Sequence, residues 1–564
     1  MASGEVKRPW LDHYPPEVAR SIDLAAAGTL VDMIRKAAAE FPDRPAFESF
    51  EKKLSFAQTL ASAEAVAGWL QREGCARGER IALMMPNIMA YPVSLFGVLL
   101  GGFVVVNVNP LYTPRELAHQ LKDSGATTIF VMEQFAHVVQ EAMAGTAIRR
   151  VVIVRPGDLL GLKGHLINFV VKRIRKSVPA WSIPGAVLFP EVFARGRAAK
   201  LAPVSVTQGD VAFLQYTGGT TGVSKGATLT HGNVAANVVQ IETWLQLKLH
   251  SVPNHVMVTA LPLYHIFGLT CCCVLMWRVG AECLLIANPR DIDGFVATLK
   301  KARVTMFSGV NTLYNALANH PEIKSVDFSH LTAAVAGGMA LQSSVARRWK
   351  ELTGTAILEG YGLSETSPVV TLNSPGLDEF SGTIGYPVPS TDVVIRSDEG
   401  HDEPVGKSGE LCVRGPQVMA GYWNRPDETA KVMTQDGYFR TGDIAVMLAD
   451  GQFKIVDRLK DMILVSGFNV FPNEVEEVIA RHPGILEVAV VGTPDEHSGE
   501  AVIAYCVKKD PSLSEDAVRA FCREELTGYK VPRHVHFRDS LPKSNVGKIL
   551  RRVLRDEAPK AKLD

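Results

Sequence analysis

The chain has 564 residues, 47% hydrophobic and 21% charged, with 47 Gly and 32 Pro; at about 150 residues per folding unit it is too long for one core, and its composition excludes wholesale disorder and collagen-like repetition. Lys plus Arg and Asp plus Glu number 59 each, so no net charge draws the molecule to nucleic acid, and any attraction to an anion has to be local. The eight cysteines include Cys271, Cys272 and Cys273 in a row and form no CxxC pair, which reads as small apolar filler in a reducing, cytoplasmic compartment.

The N-terminus, MASGEVKRPWLDHYPPEV, lacks the apolar run of a signal peptide. Met84 to Val106 carries no charge, but Pro86, Pro92, Gly97, Gly101 and Gly102 divide it into a short helix and a β-rich run rather than a membrane span. Thr113, Pro114 and Glu116 spell a capped helix start and Gly125 its end. Strands are predicted at 127–132, 151–154, 211–217, 256–261 and 333–338, alternating with helices as a layered α/β protein requires. On a helical wheel, Leu162, Leu166, Phe169, Val170 and Ile174 fall on one side and His165, Lys172, Arg175 and Lys176 on the other. Two readings fit: a helix lying on an anionic bilayer, or one packed on the core with a solvated basic face. Leu261 to Trp277 is uncharged, begins with Pro262 and His265, and reads as a buried element.

After about residue 385 short strands alternate with turn signals, and from 462 a helix near Pro472, strands at 487–491 and 501–509, a helix over 513–526 and a basic tail follow. The charged DRLKD at 457–461 reads as a hinge. The fold class is α/β: residues 1–456 form a large layered α/β N-terminal body with a small β-rich subdomain at about 386–456. Residues 462–564 form a smaller, mobile α+β C-terminal domain.

The strongest chemical signal is YTGGTTGVSKG, Tyr216 to Gly226, directly after a predicted strand. Gly218, Gly219 and Gly222 let the backbone approach a ligand and turn its N–H groups inward. Thr217, Thr220 and Thr221 add hydroxyls and Lys225 a point charge, together a polyphosphate cradle. It is not a P-loop, because Ser224 precedes Lys225 and ATLTH after Gly226 reads as a strand. Taken singly, Glu365 reads as an exposed loop acid, Lys548 as a solvated surface lysine and His265 as a core histidine.

The segment resembles the phosphate loop of the adenylate-forming superfamily, which includes acyl-CoA synthetases, carrier-protein adenylation domains and luciferases. LPLYHIFGL (261–269), EGYGLSETSP (359–368), YFRTGD (438–443), DRLKD and LPKSNVGKILRR (541–552) follow in that family's order. NPLYTPREL, GVNTLYNAL and the closing segment look most like bacterial long-chain fatty acyl-CoA synthetases. The resemblance implies that ATP and Mg²⁺ activate a fatty acid as acyl-AMP with release of pyrophosphate, and that coenzyme A then displaces AMP. It puts Glu365 and Thr217 on Mg²⁺, and Gly360, Tyr361 and Gly362 around adenine with Tyr361 stacked on it. Asp443 and Arg458 fall on the ribose, Lys548 between the carboxylate and the α-phosphate, Lys460 at the pivot, Gly467 beside the coenzyme A channel and His265 near the acyl carboxylate.

Ser308 to Val310 and Gly337 to Met339 are candidate pocket walls. Ser364 stands where the family usually has Thr, and Tyr438 and Arg440 where many relatives have Trp and His. No acidic residue occurs from Leu261 to Trp277, which speaks against an amino-acid substrate, whose ammonium would need a partner. Carrier-protein adenylation and a catalytically decayed, fatty-acid-capturing membrane-associated protein remain alternatives. The expected location is cytoplasmic, with the basic helix offering a peripheral place on the membrane.

Overall fold

The computed structural model describes residues 8–199, 201–217, 224–495, 497–544 and 546–557; Gly218, Gly219, Thr220, Thr221 and Gly222 of the phosphate loop lie outside the described residues. Two large sheets make the body. In the first, of nine strands, Glu282–Leu285, Val256–Thr259, Met306–Gly309, Ala333–Gly337 and Ile357–Gly362 run parallel side by side. In the second, of eight, the parallel set is Arg150–Val154, Thr128–Met132, Arg80–Met84, Val104–Asn107 and Val211–Thr217, and Lys225–Thr230 returns antiparallel to the last. In such sheets the carboxyl ends of the strands are where ligands bind.

Local chemistry fixes the elements as expected. Thr113 and Glu116 close a capping box at the start of the helix Pro114–Ser124, and Gly125 ends it at φ 63°. The uncharged stretch after Met84 becomes the wholly buried helix Ala90–Leu100 and the strand Val104–Asn107. A Cβ on Gly97 would stand 2.6 Å from Val66 Cβ and 2.7 Å from Ala63 O, so glycine lets the helix Phe56–Arg72 cross there. No described helix is long and apolar enough to cross a membrane.

The amphipathic segment departs from the wheel. Residues Leu162–Phe169 are α-helical and Val170–Ile174 form a wider π-type turn, which rotates the later residues out of a 3.6-residue register. Gly164 lies against Gly157, so close that a Cβ on it would meet Gly157 O at 1.9 Å. Asn168 Oδ1 accepts from Gly157 N–H at 2.8 Å, and the exposed Lys172 pairs with the buried Glu133 at 2.7 Å. Leu162, Leu166, Phe169 and Ile174 are exposed, while Ile167 packs against the core of the body, so the helix is seated on the body but most of its apolar row faces out.

The β-rich region is a four-stranded antiparallel sheet of Asp392–Arg396, Ser408–Arg414, Phe439–Met447 and Phe453–Arg458. It is not self-contained, because Tyr386–Pro387 joins the nine-stranded sheet and Gly421–Tyr422 the eight-stranded one. The expected connector 457–461 is also tighter than a free linker. Asp457 and Arg458 complete a strand, Asp457 is fully buried, and Arg551 lies 3.5 Å from both Asp457 and Asp461. Beyond it, a five-stranded sheet with the helices Pro472–Ala480 and Glu515–Glu525 builds a separate core around Val475, Val490 and Cys506.

Candidate active site

A cavity of about 900 Å³ opens where the parallel strands of the first sheet end. Ser308, Gly337 and Gly362 sit at or next to three of those ends, and Thr217 brings in the end of a strand from the second sheet. Gly309, Val310 and Met339, expected as walls, are not among its lining; Gly338 is. One end is polar, with Thr217, Lys225, Glu365, Arg458, Lys460 and Lys548. The other is apolar, with Ile241, Leu245, Met257, Leu275, Met276 and Met306. His265 lies on the wall, and Cys271 shows that one of the three adjacent thiols is also lining.

At the polar end Lys225, Glu365 and Arg458 have partners, whereas Lys460 and Lys548 form no ion pair among the described residues. Lys225 pairs with Glu428 and stands 5.3 Å over the ring of Tyr422. Tyr422 donates its hydroxyl to Glu365 Oε1 at 2.8 Å. Glu365 is buried, which raises its pKa and favours a cation beside it. Thr217 Oγ1 donates to Lys225 O at 3.5 Å, and Tyr216 donates to Asp123 at 2.7 Å, as does Arg425. Asp443 accepts from Tyr361 at 2.6 Å on one oxygen and from Arg458 at 3.0 Å on the other, leaving a second lone pair on each.

Lys548 reaches the cavity from the C-terminal domain. Its turn is closed by Ser544 N–H donating to Lys548 O at 2.7 Å and docked by Thr312 Oγ1 donating to Gly547 O at 3.0 Å. Burial, with Arg458 adding repulsion, pushes its ammonium down to about 8. His265 is held neutral, its pKa pushed down to about 3 by burial and by Lys548, and its Nδ1 accepts from Phe267 N–H at 3.3 Å.

Of the residues singled out from sequence, Tyr216, Thr217, Lys225, His265, Gly360, Tyr361, Gly362, Glu365, Arg458, Lys460 and Lys548 line one cavity, with Asp443 bonded to two of them. Gly467 does not. It sits at φ 83° in the turn between Ile463–Val465 and Phe468–Val470 with nothing within 4 Å of where a Cβ would be. Tyr438 and Arg440 are also away from the cavity: Tyr438 is stacked between Arg396 and Arg414, and Arg440 pairs with Glu410 at 2.6 Å. Sequence reasoning missed Tyr422 and Glu428. Both reach the site because the two-residue strand Gly421–Tyr422 pairs with Lys225–Thr230, a contact with no local signature.

The chain matches the family model for AMP-binding enzyme over residues 34–423 and that for AMP-binding enzyme C-terminal domain over 474–548. It is 51% identical to a long-chain-fatty-acid–CoA ligase of Escherichia coli O6:H1 and 52% to one of Yersinia pestis, over 98% of this chain and 99% of each relative. A Bacillus subtilis protein of the same name is 36% identical over 98% of both chains. Among solved structures it resembles ATP-bound MatB from Rhodopseudomonas palustris (TM-score 0.80, 27% identity, 93% of this chain and 98% of that one). It also resembles the anthranilate CoA ligase AuaEII with anthranoyl-AMP (TM-score 0.81, 25% identity, 97% and 98%).

Proposed function

The chain belongs to the AMP-binding enzyme family, and we infer that it is a long-chain-fatty-acid–CoA ligase with ATP and coenzyme A as co-substrates. The observation that carries the reading is the continuity of the cavity, whose cationic end suits a triphosphate and whose apolar end suits an alkyl chain. A carboxylate oxygen of the acid attacks the α-phosphorus of ATP, the bond to the bridging oxygen breaks, and acyl-AMP and pyrophosphate result. The sulfur of coenzyme A then attacks the acyl carbon, the thiol proton passes to solvent, and AMP leaves.

We assign the residues to these steps as follows. Lys225 neutralises the outer phosphates together with the backbone of 218–222, and Asp443 takes the ribose hydroxyls with Arg458 beside it. Tyr361, between Gly360 and Gly362, faces adenine. Lys548 bridges the incoming carboxylate and the α-phosphate, where two anions have to meet. Neutral His265 lines the path between the apolar end and the phosphates. The oxygens of Glu365 and Thr217 suit Mg²⁺, which is held by one or two carboxylates plus substrate phosphates rather than by an all-protein cage. Among the described residues no group of three His, Cys, Asp or Glu is placed to hold an ion alone. Bound there, the ion would offset charge on the triphosphate.

Lys460 and the turn after Arg458 serve as the pivot on which the C-terminal domain turns to bring Gly467 to coenzyme A. All eight cysteines are free and buried, which supports a reducing cytoplasmic setting, and a peripheral place on the membrane belongs to the same reading. The deciding experiment measures pyrophosphate and acyl-CoA formation over saturated acids of increasing length. Each buried methylene adds about 0.8 kcal/mol, roughly fourfold in kcat/KM, so activity should climb steeply towards long chains. Pyrophosphate release without acyl-CoA would favour carrier-protein adenylation instead.

A further inference from the structure

We propose that the segment 162–176 is the surface by which this protein rests on an anionic lipid bilayer, Leu162, Leu166, Phe169 and Ile174 entering the apolar boundary and Arg173, Arg175 and Lys176 lying at headgroup level. The inference rests on the peripheral-membrane reading above and gives it a place on the molecule.

The helix is built inside out. Leu162, Leu166 and Phe169 recur at the four- and three-residue spacing of one helical stripe, yet they are 91%, 63% and 56% exposed, and Ile174 is 64% exposed. Single exposed apolar side chains are ordinary, but a row of them marks an interaction surface. The face that touches the body is another one, fixed by Ile167 against the core, the Gly157–Gly164 contact, the Asn168 bond and the Lys172–Glu133 pair. This anchoring holds the apolar stripe outward. Lys163 ties the segment to a neighbouring hairpin tip, donating to Phe50 O at 2.7 Å and pairing with Glu51. Phe50, itself exposed, extends the row.

Charge selects the occupant. Arg173, Arg175 and Lys176 are exposed and form no ion pair among the described residues, so a local cationic band borders the apolar row in a chain of zero net charge. That is the pattern of a helix lying in the interface of an anionic leaflet, and no described helix is long enough to cross one. The segment also leaves the same sheet edge as the candidate site. Arg150–Val154 and Val211–Thr217 are four strands apart in one parallel set, about 20 Å along the sheet. A bilayer under the segment therefore lies beside the edge where an acid would be activated.

The test is co-sedimentation of the full chain with phosphatidylglycerol-rich and with pure phosphatidylcholine vesicles. Wild type should bind the first far better than the second. Arg173→Glu/Arg175→Glu/Lys176→Glu and, separately, Leu166→Ser/Phe169→Ser should each weaken binding by about 10²-fold, while turnover of a short, soluble acid stays unchanged. If wild type binds and both variants bind equally well, the surface assignment falls and the membrane reading stands. If wild type binds neither vesicle, both fall. If the Leu166→Ser/Phe169→Ser variant alters self-association in sedimentation velocity and leaves vesicle binding intact, the row is a protein contact and the proposal is overturned.

Discussion

Lys548 is useful to a carboxylate meeting a phosphate only while it carries a proton. Burial brings that proton's loss from the ordinary 10.5 down to about 8, so the ammonium form prevails below that pH, is half lost at it and gives way above it. For acyl-AMP formation, kcat/KM for ATP, which reports the free enzyme, should be flat up to about pH 8 and fall about tenfold per pH unit beyond. Lys548→Arg should lower the plateau and remove the falling limb, since a guanidinium stays charged; a limb that survives in this variant would assign the titration elsewhere. His265, held near 3, contributes no limb in the neutral range. Lys548→Ala should lower acyl-AMP formation by about 10²- to 10³-fold. Thioester formation from supplied acyl-AMP should be nearly unchanged, because the role proposed for Lys548 concerns charge that exists only in the first step.

The elements decide whether that lysine arrives. Gly547, at φ 79°, closes the turn before it, and a Cβ there would lie 2.8 Å from Thr312 Oγ1 on the body. Gly547→Ala meets both a left-handed backbone, costing about 1 kcal/mol or more, and a clash at the docking contact. It should slow acyl-AMP formation by roughly tenfold or more while sparing the second half-reaction and the melting temperature of the body. Equal slowing of both steps would mean that the turn serves folding rather than docking. The candidate site was legible in sequence wherever chemistry dictates residue type in a short run at a strand end or turn, as at Tyr216, Thr217 and Lys225, Gly360–Glu365 and Lys548. It was not legible where a partner arrives through tertiary pairing: Glu428 on Lys225, Tyr422 on Glu365 and Arg551 on Asp457. Lys172 keeps the side opposite the apolar row that the wheel gave it, but its pairing with Glu133 likewise arises from tertiary contact.

Across the whole molecule, the C-terminal domain sits on the body through few bonds and two electrostatic conflicts. Asn315 Nδ2 donates to Leu486 O at 2.9 Å, Thr312 donates to Gly547 O, and Ser343 pairs with Glu477. Against these, Lys548 stands beside Arg458, a repulsion that the attraction of Asp443 and Glu365 only partly offsets, and Glu359, pushed up to about 8 by burial, also feels Glu477 of the other domain. For Glu359 the folded form holds its proton at higher pH than the free side chain, so this carboxyl costs stability increasingly as pH rises from about 4.5 to 8. Glu359→Gln should therefore raise the melting temperature at pH 8.5 and change it little at pH 4.5.

The cationic conflict has a different remedy: in the roles proposed above, the α-phosphate and the incoming carboxylate bring negative charge to Lys548 beside Arg458 and turn repulsion into attraction, and joining the two anions in acyl-AMP reduces that charge. Docking of the C-terminal domain should thus follow ATP. Since all eight native cysteines are buried, Ser329→Cys on the body and Asp516→Cys on the C-terminal domain can be labelled selectively and their separation followed by spin-label distance measurement. ATP should narrow the distribution towards the docked arrangement. Lys548→Met, which removes the buried charge, should populate that arrangement without nucleotide and lose most of the response to ATP. A distribution in Lys548→Met that still tracks ATP as in the parent would show that the domain is drawn in by contacts other than this lysine.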